Sequence, residues 1–293
     1  MPETRGPEAS APTAVGEDGE MPESRYSDLD RPPLSEAALN RALVRPGSLW
    51  TGVTVVDSTG STNADLADAA RGGAPEGTVL VAEEQRAGRG RLGRPWSAPP
   101  RSGLTFSILL RPGVPVAAHG WLTLMYGVAA ASAVRRLAEV DVRLKWPNDL
   151  LIGERKLAGV LAERVDDAVV IGMGLNVTLR PDELPVQTAT SLGIEEAACI
   201  DRDPLIRAVL REVEGHYHDW TEAKGDAEAS GLRSAYLASS ATVGQRVRVQ
   251  LPGEATLTGQ ATGIDHFGHL LVDAAGEQHT LSAGDVVHVR PAG

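Results

Sequence analysis

The distribution of apolar residues along the chain predicts two structural regions. Between about residues 50 and 240, apolar runs of strand length alternate with longer stretches of helical composition. After about residue 240, short alternating segments are separated by turns that contain glycine, which is typical of a small β-barrel. The pattern therefore predicts an α+β body followed by a C-terminal barrel.

The individual elements are predicted from apolar runs, capping residues and glycine breaks. Helices are predicted at residues 35–43, 64–71, 119–138, 204–223 and 232–238. Strands of the body are predicted at residues 53–56, 78–82, 104–110, 144–146 and 169–177, with a hairpin of residues 150–152 and 157–164. Barrel strands are predicted at residues 246–250, 255–264, 270–272, 278–281 and 286–289. Ser61, Thr62 and Asn63 are predicted to cap the helix at residues 64–71.

The first 36 residues differ in composition from the rest of the chain. They are rich in Pro, Glu, Gly and Ser, contain nine acids and three bases, and show no apolar periodicity. Such a segment cannot bury enough apolar surface to offset its conformational entropy. We therefore expect an acidic disordered tail at residues 1–36, a folded body at 37–239 and the barrel at 240–293.

Composition restricts the class of protein. The 293 residues are 42% hydrophobic, yet no apolar run reaches the ~18 residues of a membrane span, and no secretion signal is visible. A cytoplasmic protein without a membrane partner is therefore expected. The 39 acids and 28 bases argue against nucleic acid as the main ligand. The single cysteine, Cys199, excludes an internal disulfide, and His216 and His218 are interpreted as surface residues rather than metal ligands.

Residues 88–96 form a positively charged segment in a chain whose net charge is negative. Five arginines and no acid lie between Gln85 and Arg101. Glycine lets the backbone approach a ligand closely, and guanidinium groups bind carboxylate or phosphate oxygens in pairs. Gly/Arg alternation also occurs in disordered segments that bind RNA, but here the predicted strands at residues 78–82 and 104–110 flank it. We therefore predict a loop that closes over an anionic ligand within a folded site.

A second motif is the run from Lys145 to Leu150, which reads Lys-Trp-Pro-Asn-Asp-Leu, followed by Lys156 seven residues after Asp149. The predicted hairpin brings the two strand ends together, so that Asp149 and Lys156 face one ligand from two sides. The alternative is an ordinary salt bridge beside a turn. Trp146 is open to two interpretations, a site residue or a residue of the core.

Taken in order, these motifs resemble the biotin protein ligase family. The resemblance rests on residues 61–63, Gln85, residues 88–96, 145–150, 156–159 and 172–177. It implies the biotin/lipoate protein ligase catalytic fold, a mixed β-sheet with flanking helices similar to class II synthetases, and a C-terminal SH3-like barrel. Some family members carry a DNA-binding domain ahead of the catalytic domain. Because an acidic tail is predicted there, this chain resembles the non-regulatory group and is expected to have no DNA partner.

The resemblance also implies a reaction. An ATP-dependent ligase of this family joins biotin to ATP as biotinoyl-5'-AMP and transfers it to a lysine of the biotin carboxyl carrier domain of an acyl-CoA or pyruvate carboxylase. ATP and biotin are then the substrates, Mg²⁺ is held mainly by the ATP phosphates, and the enzyme is a monomer or a ligand-linked homodimer. The alternatives are a lipoate or octanoate ligase, a nucleic-acid-binding protein and a non-catalytic biotin sensor.

By position, the family's functional residues fall into three sets in this chain. The biotin-binding set is Ser61, Thr62, Asn63, Gln85, Arg89, Gly90, Arg91, Lys156 and Gly159. The ATP-binding set is Arg91, Arg94, Trp96, Asn148 and Asn176. The catalytic set is Arg91, Lys156 and Asp149, and Asp149 is also a candidate ligand of Mg²⁺.

Overall fold

A computed structural model of the chain describes residues 31–251 and 255–288. The described residues form helices and two β-sheets. The helices are α1 (Glu36–Leu43), α2 (Thr62–Arg71), α3 (Gly120–Ala138), α4 (Arg202–Glu222) and α5 (Leu232–Ser239). The strands of the first sheet are β1 (Gly52–Val56), β2 (Thr78–Ala82), β3 (Gly103–Leu110), β4 (Val142–Lys145), β5 (Asp149–Ile152), β6 (Arg155–Val165) and β7 (Ala168–Asn176). Those of the second are β8 (Arg246–Gln250), β9 (Thr256–Ile264), β10 (Leu270–Ala274), β11 (Glu277–Leu281) and β12 (Asp285–His288).

The seven-stranded sheet is mixed and has the order β1-β2-β3-β7-β6-β5-β4. Only the pair β1 and β2 is parallel, and α2 forms the crossover between these two strands. The remaining pairs are antiparallel, as short connections allow. Among the described helices, none combines the length and apolar character needed to span a bilayer.

The two faces of this sheet are covered differently. Helix α3 is buried along most of its length and packs with α4 over one face, where it forms the main apolar core. On the other face, α2 packs over only part of the sheet, where Leu66 contacts a small apolar cluster with Leu109 and Val170. Because side chains alternate between faces along a strand, Ser107 on β3 and Gly172 on β7 lie on this same face, beyond the apolar cluster. The uncovered part of the sheet is where a ligand can reach the strands.

The second sheet is antiparallel throughout, with the order β11-β10-β9-β8-β12, and its apolar residues join the main core. Two indole groups connect it to the body: Trp121 Nε1 donates to His266 O at 2.9 Å, and Trp146 Nε1 donates to Gly268 O at 3.1 Å. Trp146 is only 2% exposed, so it is a residue of the core and of the contact between the two sheets. Gly120 allows that contact because a Cβ there would lie 2.3 Å from Phe267 O.

Several boundaries differ from the sequence-based expectation. Residues 31–35 of the expected tail lie against the body: Leu34 N donates to Glu83 Oε1 at 2.6 Å, and Arg31 is 6% exposed. The rest of that tail, residues 1–30, lies outside the described residues, as does residue 289 of the last expected strand. Strand β4 ends at Lys145, and Trp146 lies in the following turn. Helix α4 begins two residues before Pro204, because Asp201 is its N-cap.

Candidate active site

A cleft of about 610 Å³ opens over the uncovered part of the large sheet. Its walls come from the start of α2, the loop at residues 88–96, the β4–β5 turn, β6, β7 and the loop after β7. Every residue of the three sets predicted from the sequence lines this cleft. The structure thus brings together groups that are more than a hundred residues apart in the chain. Their individual roles stay predictions.

At one end of the cleft, the polar side chains that line it are uncharged: Ser61, Thr62, Asn63 and Gln85. Gln85 Oε1 accepts hydrogen bonds from Thr62 N at 2.8 Å and from Thr62 Oγ1 at 2.9 Å. Asn63 Nδ2 donates to Glu163 Oε2 at 2.6 Å and to Leu161 O at 3.2 Å. Ser61 occupies the N-cap position of α2 but makes no capping hydrogen bond, so the capping expected of its side chain is wrong. Ser61 lines the cleft instead.

Ser107 belongs to this network but was absent from the predicted sets. Its hydroxyl is fully buried and lies 2.7 Å from Thr62 Oγ1 and 2.6 Å from Asn63 Oδ1. The sequence did carry a signal, because Thr105 and Ser107 are polar residues at alternate positions of an otherwise apolar strand. A buried hydroxyl in a strand requires a hydrogen-bond partner. Two hydroxyl residues at alternate positions therefore indicate that this face of the strand contacts other polar groups.

Glycines form the floor of the cleft. A Cβ at Gly174 would lie 2.2 Å from Trp96 Cε2, and one at Gly172 would lie 2.0 Å from Asn63 Oδ1. The indole of Trp96 therefore lies directly on β7. A Cβ at Gly159 would be 3.6 Å from the same ring. Gly172 and Gly174 are glycines because side chains from α2 and from the loop occupy the space where their own Cβ atoms would be.

The arginine loop is folded as a tight hairpin. Trp96 N donates to Gly88 O at 2.8 Å, and Gly90 N donates to Arg94 O at 2.7 Å. A short 3₁₀ turn lies at its tip, where Leu92 has a φ of 57° and is 76% exposed. The loop thus has a defined backbone shape whose tip projects into solvent.

Two arginines of this loop contact the C-terminal sheet. Arg91 Nη1 donates to Gly284 O at 3.2 Å and to Asn148 Oδ1 at 3.4 Å, and it lies 3.9 Å from Asp285 Oδ1. Arg94 forms an ion pair with Asp285 Oδ2. Asp285 begins β12 and was not among the predicted residues, because nothing in its local sequence indicates a partner about 190 positions away. The loop, the β4–β5 turn and the barrel therefore meet at Arg91.

The β5–β6 hairpin places its charged groups as the sequence predicted. Asp149 begins β5, Lys156 is the second residue of β6, and Asp149 Oδ1 lies 2.7 Å from Lys156 Nζ. The ammonium group also lies 5.7 Å from the centre of the Trp96 ring, within range of a cation–π contact. The salt bridge that was considered as the alternative is therefore present, and both of its residues also line the cleft. That they face a ligand stays a prediction.

Positive charge accumulates at this end of the cleft. Burial lowers the pKa of the Arg91 guanidinium, and Asp149 partly opposes that shift. Burial also lowers the pKa of the Lys145 ammonium, which Asp149 raises and Lys156 and Arg94 lower further. Lys145 faces Asp149 across the β4–β5 pair and lines the cleft, although it was not in the predicted sets. Like charges held this close favour an anionic ligand, which would relieve their mutual repulsion.

Asn176 lies at the far end of β7 and is buried. Its Nδ2 donates to Thr190 O at 2.9 Å, so the loop that returns after β7 is bonded to the last residue of the strand. Val186 and Thr188 of that loop line the cleft. The loop therefore forms part of the wall of the cleft.

The mixed sheet with this cleft places the protein in the class of biotin and lipoate ligases, and the small barrel at its side matches the C-terminal domain of biotin protein ligases. The model of the Biotin/lipoate A/B protein ligase family matches residues 55–176, and that of the Biotin protein ligase C terminal domain matches residues 242–289. The chain is 46% identical over 268 residues to a biotin–[acetyl-CoA-carboxylase] ligase of Mycobacterium tuberculosis, covering 90% of this chain and 98% of the relative. It is 35% identical over 228 residues to the bifunctional ligase/repressor BirA of Bacillus subtilis, covering 75% of this chain and 67% of that protein.

The solved structures agree with the sequence comparison. The biotin protein ligase from Aquifex aeolicus in complex with biotin and ATP matches with a TM-score of 0.68 and 28% identity, covering 83% of this chain and all of that chain. The chain belongs to the biotin protein ligase family. The predicted α+β ligase fold with a C-terminal SH3-like barrel is thereby confirmed.

Proposed function

We infer that this protein activates biotin with ATP as biotinoyl-5'-AMP and transfers the biotinoyl group to a lysine of a carboxylase. The observation that carries this function is one cleft with an uncharged polar pocket around Thr62 and Gln85 at one end and the cations Arg91 and Lys156 at the other. Such a cleft fits a molecule with a polar uncharged head and a carboxylate tail. Relatives that are biotin ligases, including a structure that holds biotin and ATP, support both substrates.

The polar pocket is proposed to bind the ureido end of biotin. Ser61, Thr62, Asn63 and Gln85 supply hydroxyl and amide groups that the network with Ser107 holds in place. Groups fixed in this way lose little conformational entropy when a ligand binds. Arg89, Gly90 and Gly159, the remaining members of the biotin set, line the path from this pocket to the cations.

The nucleotide is proposed to lie at the cationic end. Trp96 offers an aromatic surface, and Asn176 at the end of β7 offers an amide to a purine edge. Arg94 and Asn148 lie beside Arg91 and are suited to phosphate oxygens. An arginine can bind two oxygens of one phosphate at once, whereas a lysine makes a point contact.

The first chemical step joins two anions. Two like charges 4 Å apart repel by about 4 kcal/mol at an effective dielectric constant near 20. Arg91 and Lys156 lie on different walls of the cleft, so they can neutralise the biotin carboxylate and the α-phosphate from two sides. The carboxylate oxygen then attacks phosphorus, the P–O bond to pyrophosphate breaks, and pyrophosphate leaves. The anhydride that forms requires a cleft closed to water, which the arginine loop supplies.

The residues of the cleft fit a magnesium ion that the nucleotide carries. The described residues contain no group of three or more His, Cys or acidic side chains that could hold a metal by themselves. Magnesium commonly binds substrate phosphates and one or two protein oxygens, and Asp149 and Asn148 place such oxygens beside the cations. When bound, the ion neutralises phosphate charge.

The second step needs a neutral amine. A free lysine has a pKa near 10.4, so only about one in 2,500 is neutral at pH 7. Asp149 is proposed to orient the incoming amine and accept its proton. Its second oxygen is available for this role, because Oδ1 is the atom that lies against Lys156 Nζ. The amine nitrogen then attacks the acyl carbon, and AMP leaves.

The finer parts of the proposal concern partners and organisation. The acceptor is proposed to be a biotin carboxyl carrier domain of an acyl-CoA or pyruvate carboxylase, met in the cytoplasm by a monomer or a ligand-linked homodimer. No DNA partner is proposed, in line with the net charge of -11. The body is assigned to residues 37–239 and the barrel to 240–293, with a tail before them.

Pyrophosphate release tests the function. The full chain is incubated with MgATP and with biotin, lipoate or octanoate in parallel reactions. Release with biotin alone, followed by labelling of an added carrier domain, is the expected result. Release of pyrophosphate with lipoate or octanoate but not with biotin would assign the chain to the lipoate or octanoate ligases instead. Binding of biotin without any release would make the chain a sensor.

A further inference from the structure

The loop after β7, residues 177–190, connects Lys156, of the proposed biotin-binding and catalytic sets, with Asn176 of the proposed ATP-binding set. Lys156 N donates to Thr188 O at 2.7 Å, and Thr190 N donates to Lys156 O at 2.8 Å. Asn176 Nδ2 donates to Thr190 O. This segment, residues 177–190, is the return loop. It is bonded to both backbone groups of Lys156 and to the side chain of Asn176. A displacement of the return loop moves the lysine and the asparagine together.

The middle of the return loop, residues 180–188, has little apolar packing, although Val177 and Leu179 before it and Ala189 after it are buried. Most of its residues between 180 and 188 are exposed or only partly buried. Segments with few buried apolar contacts open at low free-energy cost unless polar contacts hold them. The start of the loop is anchored by burial of Leu179 and by Thr178 N, which donates to Ser102 O at 2.7 Å. The position of the exposed segment that follows, at Glu183, therefore depends on individual hydrogen bonds.

Arg31 supplies bonds of this kind from the other end of the chain. Its Nη2 donates to Thr178 O at 2.9 Å and to Glu183 Oε2 at 2.5 Å, and its Nη1 donates to Glu183 Oε1 at 3.1 Å. This is a two-pronged contact between a guanidinium and a carboxylate, with side-chain exposures of 6% and 19%. Glu183 Oε2 also accepts from Arg180 N at 2.8 Å and so closes the turn in the loop. Charge-assisted paired bonds of this kind fix geometry as well as adding stability.

The segment that carries Arg31 is itself fixed. Pro32 O accepts from Arg202 Nη2 at 2.6 Å, and Leu34 N donates to Glu83 Oε1 at 2.6 Å. Arg202 and Glu83 form an ion pair of 2.6 Å in which both side chains are at most 5% exposed. Glu83 lies two residues before Gln85 of the polar pocket. The backbone next to Arg31 is therefore bonded to a buried ion pair of the body, which fixes the position of Arg31.

From these contacts we propose that Arg31 is a positioning residue for the nucleotide half of the site. By bonding Thr178 O and Glu183, it fixes the exposed middle of the return loop and thereby contributes to the positions of Asn176 and of the Lys156 backbone. It touches no substrate itself. The assignment to the nucleotide rests on the proposed function, whereas the clamp on the loop does not.

The test uses the full chain with Arg31→Gln, Glu183→Gln and the double variant. Arg45→Gln is the matched control, because Arg45 is an exposed arginine near the same end of the chain. Each bond to a charged group is worth roughly a factor of ten or more, so KM for ATP is expected to rise about tenfold in either single variant. KM for biotin is expected to rise less than KM for ATP, because Lys156 is the only member of the proposed biotin-binding set whose backbone is bonded to the return loop. The double variant is expected to resemble the single ones, and Arg31→Lys to recover part of the loss.

Two further measurements distinguish the clamp from a general loss of stability. Hydrogen exchange at the amides of Lys156 and Thr190 is expected to speed up in Arg31→Gln but not in Arg45→Gln. Deleting residues 1–30 is expected to leave KM for ATP unchanged, whereas deleting residues 1–31 is expected to raise it as Arg31→Gln does. Unchanged exchange and an unchanged KM for ATP would overturn the proposal, as would equal rises in both KM values with a lower Tm. Absence of pyrophosphate release by the wild type would overturn the proposed function alone, since the exchange result still decides the clamp.

Discussion

Replacing Arg91 with alanine tests the arginine loop as the lid of the cleft. Arg91 Nη1 bonds to Asn148 Oδ1 at 3.4 Å and to Gly284 O at 3.2 Å, and it lies 3.9 Å from Asp285 Oδ1. The two long hydrogen bonds are worth about 1 kcal/mol each, and the partly exposed ion pair adds at most about 1 kcal/mol. The variant therefore loses about 2 to 3 kcal/mol of the free energy that keeps the loop closed over the cleft. Because about 1.4 kcal/mol is a factor of ten, the adenylate should escape about 30- to 150-fold more often.

The assay is pyrophosphate release with ATP and biotin but no acceptor protein. The wild type is expected to release about one equivalent and stop, because the adenylate stays behind the closed loop. Arg91→Ala is expected to form the adenylate more slowly, since a cation is lost, yet to continue turning over as the adenylate escapes and hydrolyses. Biotin attached to added albumin measures the escape directly. Arg86→Ala is the control, because it removes an exposed arginine of the same segment that does not line the cleft.

The outcome that would refute this reasoning is specific. If Arg91→Ala binds biotin and ATP and still stops after one equivalent of pyrophosphate, the contacts of Arg91 with the barrel do not hold the lid. Labelling of albumin by the Arg86→Ala control would also contradict it, because general loss of positive charge would then explain the leak.

Three further predictions follow from single contacts. Lys156→Ala should slow the pyrophosphate burst by about a hundredfold, the effect of removing one preorganised electrostatic group, and an intact burst with slow transfer would assign the lysine to the second step. Gly174→Ala should displace the Trp96 ring, because its Cβ would lie 2.2 Å from that ring, and should raise KM for ATP; Gly113→Ala, which adds a Cβ in open space, should not. Hydrogen bonding to Arg31 lowers the pKa of Glu183. The ion pair therefore contributes its full stability above the ordinary glutamate pKa of about 4.3, and this contribution is lost as the pH falls through the lowered pKa. Chemical denaturation should therefore show a gap between wild type and Glu183→Gln that is constant at neutral pH and closes in acid, and a gap that widens in acid would reverse this sign.

Local features of the fold were predictable from the sequence. The apolar pattern located the strands and helices to within a few residues, and the hairpin predicted that Asp149 and Lys156 lie close together. This proximity could be predicted because a hairpin brings together residues only seven positions apart. The register, which pairs Asp149 with Gly159 and Lys156 with Leu151, was not predictable in detail. The arginine loop was identifiable because its charge contrasts with the acidic composition of the chain.

The sequence alone determined which chemical groups the protein has and which near neighbours they meet. Only the tertiary structure decided that Ser107 supports the polar pocket, that Asp285 of the barrel pairs with the arginine loop, and that Arg31 clamps the return loop. The residues of these pairs are 45, 191 and 152 positions apart. No local periodicity encodes such distances, because they are set by strand order, by the alternation of side chains on a shared sheet face and by the packing of the barrel on the body. Individual ion pairs and hydrogen bonds then form wherever that packing brings complementary groups together.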